Sequence, residues 1–209
     1  MSREIVLYIA ASLDGFIAKE DEDLQWLFET EGEGDNGYLE MYQFIDTAIM
    51  GKKTYDYVKG ITEVFPYSDK KCYVFSTSEQ GSNEDVEFVN EEVIHFTKKL
   101  KEQEGSKIWM VGGAAILDAF MKENLIDEFI ITVTPHILGS GIPLFKENNP
   151  QIDLILQGTK CFGQFVQLHY KVKTVSPSIT CKITMHCMWK QEYQKTPSFG
   201  LWPVRGSFP

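Results

Sequence analysis

Along the chain, apolar residues fall into short blocks that alternate between two periods. Ile5 to Ala11 is an almost unbroken apolar run with β-branched and aromatic members. It predicts a strand covered on both faces. Ser12-Leu13-Asp14-Gly15 supplies turn chemistry before Phe16-Ile17-Ala18 resumes the apolar pattern. Leu39, Met41, Tyr42 and Ile45 fall at helical spacing and predict a helix over 38–45, followed by a strand over 47–50. Helix and strand together make a crossover that favours parallel pairing.

The same alternation repeats downstream. A helix is expected to start at Gly51-Lys52-Lys53-Thr54-Tyr55, and strands are expected over 71–76 and 86–89. Residues 91–103 predict a helix with Val93, Ile94, Phe96 and Leu100 inward and with Lys98, Lys99, Lys101 and His95 outward. Ile108 to Val111 reads as a buried strand that Gly112 and Gly113 interrupt, and an apolar helix follows from Ala114 to about Met121. A strand over 127–134 leads into a glycine- and proline-punctuated loop over 135–145. Residues 154–160 and 165–173 then alternate about Gly163 as a hairpin, so that parallel units end in an antiparallel edge.

These 209 residues suffice for one domain, here 1–173, with a compositionally distinct C-terminal extension over 174–209. Thirty acidic against 20 basic residues give a formal charge of −10, which argues against general affinity for nucleic acid. No apolar run approaches the length of a membrane span, and Arg3-Glu4 does not resemble a signal sequence; the cytoplasm is the default compartment. Cys72, Cys161, Cys181 and Cys187 form no Cys-x-x-Cys pair and read as isolated buried thiols, with no metal site indicated.

Candidate chemistry collects where strands give way to turns. Glycine there lets backbone approach a ligand while the first free N–H groups of a helix point at it, and phosphate is the usual occupant. Gly112-Gly113-Ala114 is such a place, although a tight turn alone would read the same. Gly51-Lys52-Lys53-Thr54 is a second, with Thr54 able to cap the helix or to meet a phosphate oxygen. Ser76-Thr77-Ser78 is a third, suited to a phosphate, to a ribose or simply to a turn. Asp14 serves either its local turn or a ligand.

Taken in order, Ala10-Ala11-Ser12-Leu13-Asp14-Gly15-Phe16-Ile17-Ala18, Met50-Gly51-Lys52-Lys53-Thr54-Tyr55, Val74-Phe75-Ser76-Thr77 and Val111-Gly112-Gly113-Ala114 resemble the dihydrofolate reductase superfamily. The Ser-Leu-Asp-Gly segment, with Pro135 to Phe145, is more similar to the reductase domain of bacterial riboflavin-biosynthesis enzymes, as a stand-alone member. The resemblance covers residues 3–173. It implies an α/β fold with a mixed, mainly parallel sheet flanked by helices and closed by an antiparallel C-terminal hairpin.

It further implies NADPH as cofactor and hydride transfer to a pyrimidine- or pterin-like heterocycle, with the reduction of a phosphoribosylaminouracil as template. Gly51, Lys52, Lys53 and Thr54 would meet the cofactor phosphates. Ser76 and Thr77 would meet the adenosine ribose and its 2′-phosphate, Gly112, Gly113 and Ala114 the pyrophosphate and nicotinamide side, and Ala11 and Ile17 the nicotinamide pocket. Asp14 is the first candidate for the polar group facing the substrate, with Asp35 its rival. A homodimer is the family expectation. The body departs from the riboflavin enzymes in having Arg3 as its one arginine before Arg205, where a ribose phosphate is usually held by arginine. Dihydrofolate reductase proper and a catalytically silent nucleotide-binding module are the alternative readings.

Overall fold

The computed structural model describes residues 2–173; the extension expected over 174–209 lies outside the described residues. The strands are β1 (Ile5–Ala11), β2 (Phe16–Ala18), β3 (Ile45–Gly51), β4 (Lys71–Phe75), β5 (Gly81–Ser82), β6 (Glu87–Val89), β7 (Lys107–Gly112), β8 (Glu128–Val133), β9 (Ile142–Pro143), β10 (Leu154–Phe162) and β11 (Phe165–Val172). The helices are α1 (Gln25–Phe28), α2 (Tyr38–Tyr42), α3 (Lys52–Ile61), α4 (Val93–Glu102) and α5 (Ala114–Lys122).

Nine strands form one sheet in the order β10-β11-β8-β1-β7-β3-β4-β6-β5. From β8 to β6 every neighbouring pair is parallel, so the C-terminal ends of β1, β3, β4 and β7 lie on one edge of the sheet. The expected hairpin joins this body through β11, antiparallel to β8. The short β2 and β9 pair as a small separate ribbon within the region read as loop.

Strand β1 shows why its sequence carries no polar alternation. Its odd positions, Ile5, Leu7 and Ala11, pack with Leu100 of α4 and with Ile116, Leu117 and Phe120 of α5. On the other face, Val6 packs with Ala48, Met50, Val74, Trp109 and Tyr55 of α3. A strand buried on both faces must be apolar at every position, and each such side chain contributes roughly 1.5–3 kcal/mol on burial.

The structure shortens the helix expected over 38–45. It ends at Tyr42, and Ile45 opens β3 by pairing with Lys107. Four closely spaced apolar residues suit either period, and sheet pairing claims the last of them. Only Met41 of this helix is buried, while Leu39 is exposed. The α4 helix begins at Val93 because the Glu92 carboxylate accepts from the N–H groups of Ile94 and His95. His95 is exposed, as its position predicts.

The expectation of buried thiols holds for Cys72 and fails for Cys161, which is exposed on the hairpin. β10 lies at the sheet edge, where alternation in sequence does not guarantee a covered face. Cys181 and Cys187 lie outside the described residues. Among the described residues, no helix is long and apolar enough to cross a membrane.

Candidate active site

The expected glycine turns meet at the edge formed by the parallel strand ends. β3 and β7 are neighbours, with Met50 opposite Gly112. Gly113 leaves β7 at φ +104°, in a region that side chains rarely adopt. A Cβ built on it would stand 3.5 Å from the Gly51 nitrogen and 3.6 Å from Thr54 Oγ1.

α3 and α5 start from Gly51 and Gly113, and neither receives a side-chain hydrogen bond at its cap. Two sets of orphan N–H donors, with the positive ends of two helix dipoles, therefore open side by side. That is the donor set a dinucleotide phosphate requires, and the glycines leave backbone within its reach. Thr54 does not cap its own helix; it packs against the Gly112–Gly113 turn.

Ion pairs tie neighbouring turns to this edge. Lys52 Nζ lies 2.6 Å from Asp56 and 2.8 Å from Glu79, linking the start of α3 to the turn after β4. Lys53 Nζ reaches Glu22 Oε1 at 2.6 Å, in the segment that follows β2. The ends of β3, β4 and β7 thus lie on one edge, with Lys53, Ser76 and Gly113 at it. Lys53 is 85% exposed and its pair is a weak surface one, so its charge stays available to a ligand.

Ser76 is buried, and its hydroxyl accepts from the N–H groups of Ser78 at 3.2 Å and Glu79 at 3.0 Å. It thereby shapes the turn that leaves Thr77 exposed beside it. Ala11 and Ile17 both pack on the core cluster under α4 and α5, Ala11 fully buried and Ile17 partly so.

The two carboxylate candidates lie apart in function. Asp14 accepts from Ser12 Oγ at 2.6 Å, from the Leu138 N–H at 3.1 Å and from the Gly139 N–H at 2.7 Å. The Ser12 hydroxyl, aided by these two amides, holds its carboxyl below the usual range. Asp14 pins the loop after β8 to the loop after β1.

Asp35 caps α2 instead, accepting from the N–H groups of Leu39 at 2.7 Å and Gly37 at 3.1 Å. These bonds, led by that from Leu39, lower its pKa. Asp35 also lines a cavity of about 270 Å³ with Tyr8, Ala10, Thr30, Tyr38 and Thr132. Ala10 places this cavity toward the C-terminal end of β1, the strand that pairs with β7 through Leu7 and Met110.

In sequence Tyr8 falls within the apolar run 5–11 and Tyr38 at the start of the helix expected over 38–45, and neither is marked as a site residue. Tyr8 donates to the Asn36 carbonyl at 3.2 Å, and burial followed by the Asp35 charge pushes its phenol up to about 12. Tyr38 is likewise raised, first by burial. Both rings stay protonated and can donate hydrogen bonds at neutral pH. An aromatic in an apolar strand run, as Tyr8 is, or at the start of a helix, as Tyr38 is, carries the same sequence pattern whether it faces core or cavity.

The family model for the RibD C-terminal domain matches residues 3–168. The uncharacterised protein YwjB of Bacillus subtilis (strain 168) is 58% identical over 171 residues, which cover 81% of this chain and 98% of YwjB. YyaP of the same organism, also uncharacterised, is 31% identical over 180 residues, covering 80% of this chain and 94% of YyaP.

Among solved structures, a Shewanella sp. PV-4 protein provisionally assigned to riboflavin biosynthesis superposes with a TM-score of 0.73 at 29% identity. It is covered completely, by 83% of this chain. The Enterococcus faecalis dihydrofolate reductase complexed with NADP(H) reaches a TM-score of 0.59 at 11% identity, over 83% of this chain and all of that one, and shares the fold.

Proposed function

We propose, from the premise that the chain belongs to the RibD C-terminal domain family, that it reduces a pyrimidine- or pterin-like heterocycle with NADPH. Family and fold support a reductase-type function; the cofactor and the class of acceptor are our reading. The observation that carries it is the meeting of Gly51 and Gly113, which sets two uncapped helix starts beside each other on neighbouring parallel strands. Open α/β sheets bind ligands in such a crevice beyond their strand ends.

In this reading the α3 and α5 amides hold the cofactor phosphates, Lys53 adds charge, and Thr77 faces the adenosine ribose and its 2′-phosphate. NADPH, when bound, supplies the hydride; the chain holds the acceptor beside it and excludes water. The cavity bounded by Ala10, Tyr8 and Asp35 receives the acceptor, and Tyr8 and Asp35 orient it by hydrogen bonds.

Titration of the protein with NADPH and with NADH, followed by oxidation of the reduced nicotinamide over a panel of pyrimidines and pterins, tests the reading. Tighter NADPH binding and acceptor-dependent oxidation are expected. Equal, weak binding of both cofactors would remove it.

A further inference from the structure

Resting on that reading, we infer that the acceptor is a phosphate-free heterocycle, seated against the Asp35 carboxylate in a cavity that repels an anionic tail. This separates the protein from reductases whose substrate carries a ribose phosphate.

The inference rests on where the charges stand. Of the described residues that line the cavity at Ala10, none is Lys or Arg, and Asp35 is its one charged group. Its two amide bonds keep it ionised, and each oxygen retains a lone pair for an amino or ring N–H of a ligand. Aromatic rings at Tyr8, Tyr38 and Phe165 suit a flat ring. Among the described residues, a phosphate entering this space would meet the exposed Asp35 carboxylate and no lysine or arginine.

The one arginine of the described residues is committed elsewhere. Arg3 is buried, pairs with Asp46, and donates to Thr47 Oγ1 and the Ser106 carbonyl, both at 2.8 Å. It precedes β1, so it stands at the strand end opposite Ala10 and Gly113.

A phosphate on a longer tail would have to reach the neighbouring cavity of about 350 Å³, which Gly37 and Gln167 line where Asn36 and Thr132 line the first. Its lysines are already matched. Lys107 contacts the buried Glu128, which also contacts the His169 ring, and Lys160 contacts Glu40. The Gln167 amide, 3.5 Å from the Asn36 carbonyl and 3.4 Å from Thr132 Oγ1, stands between the two spaces.

The test compares two probes that differ in one group, 5-amino-6-ribosylaminouracil and its 5′-phosphate, by calorimetric titration of the NADPH-loaded protein. The phosphate-free probe is expected to bind at least about tenfold more tightly. Thr30→Lys places a cation on the cavity wall without touching the α2 cap, and should narrow or reverse that preference. Equal or tighter binding of the phosphate in the unaltered protein, or binding of neither probe, would overturn the inference. Failure to load NADPH in a separate titration would instead overturn the functional reading on which it rests.

Discussion

Gly113 faces the Gly51 nitrogen so closely that an added Cβ would stand 3.5 Å from it, and the backbone of Gly113 is held at φ +104°. Contact alone would be tolerable. Conformation is what restricts the position to glycine, because a side chain there occupies a forbidden region of backbone space.

Gly113→Ala is therefore expected to destabilise the fold by about 1–3 kcal/mol, the usual cost of one strained backbone position. It should also weaken NADPH binding at least about tenfold, as α5 shifts its first amides. Urea denaturation and cofactor titration on the same sample measure both effects.

Lys53→Ala should separate stability from binding. Its exposed pair with Glu22 contributes no more than ~1 kcal/mol to folding. NADPH affinity should nevertheless fall by about tenfold with loss of a phosphate-facing charge. Thr77→Val is expected to weaken NADPH and leave NADH nearly unchanged; equal losses for both would exclude Thr77 from contact with the 2′-phosphate.

Asp46→Ala should do the reverse. It strips a buried Arg3 of its carboxylate partner, and with Asp46 itself 40% exposed the loss should be about 2–3 kcal/mol, below that of a fully buried pair. NADPH binding by the folded fraction should be unchanged, because the pair sits at the other end of the strands. Thermal melts with a saturating-cofactor control check this.

Asp14→Asn offers a pH signature. The carboxyl is lowered from 3.8, so its contribution is present above that value and is lost as pH falls through the depressed folded-state pKa. The stability gap between wild type and variant should be constant from about pH 5 to 8, then narrow below pH 3.8. A gap that persists in acid would show that shape, and not charge, lets Asp14 hold the 138–139 amides.

How much of this was legible in the sequence depended on whether the deciding interaction was local. β1, β7 and the turn at Gly112–Gly113 could be read because continuous apolar runs and glycines act within a few residues. The early end of α2 could not, because it is set by the pairing of Ile45 with Lys107. Asp14 shows the same limit: its turn was readable, but its bonds to Leu138 and Gly139 bridge more than a hundred residues. Of the cavity beside Asp35 only Asp35 itself was legible, since Tyr8 and Tyr38 differ from core aromatics only in what lies opposite them.

The position of β1 between β7 and β8 governs how the molecule comes into being. β1 is synthesised before both of its partners, and Ile5 finds Ile108 only after more than a hundred further residues have been made. Closing loops of that length slows assembly, and β1 cannot settle beforehand. A ribosome-bound fragment ending before β7 would therefore have no seat for either ligand, and the cleft should arise in one late step, when β1 slots between its neighbours.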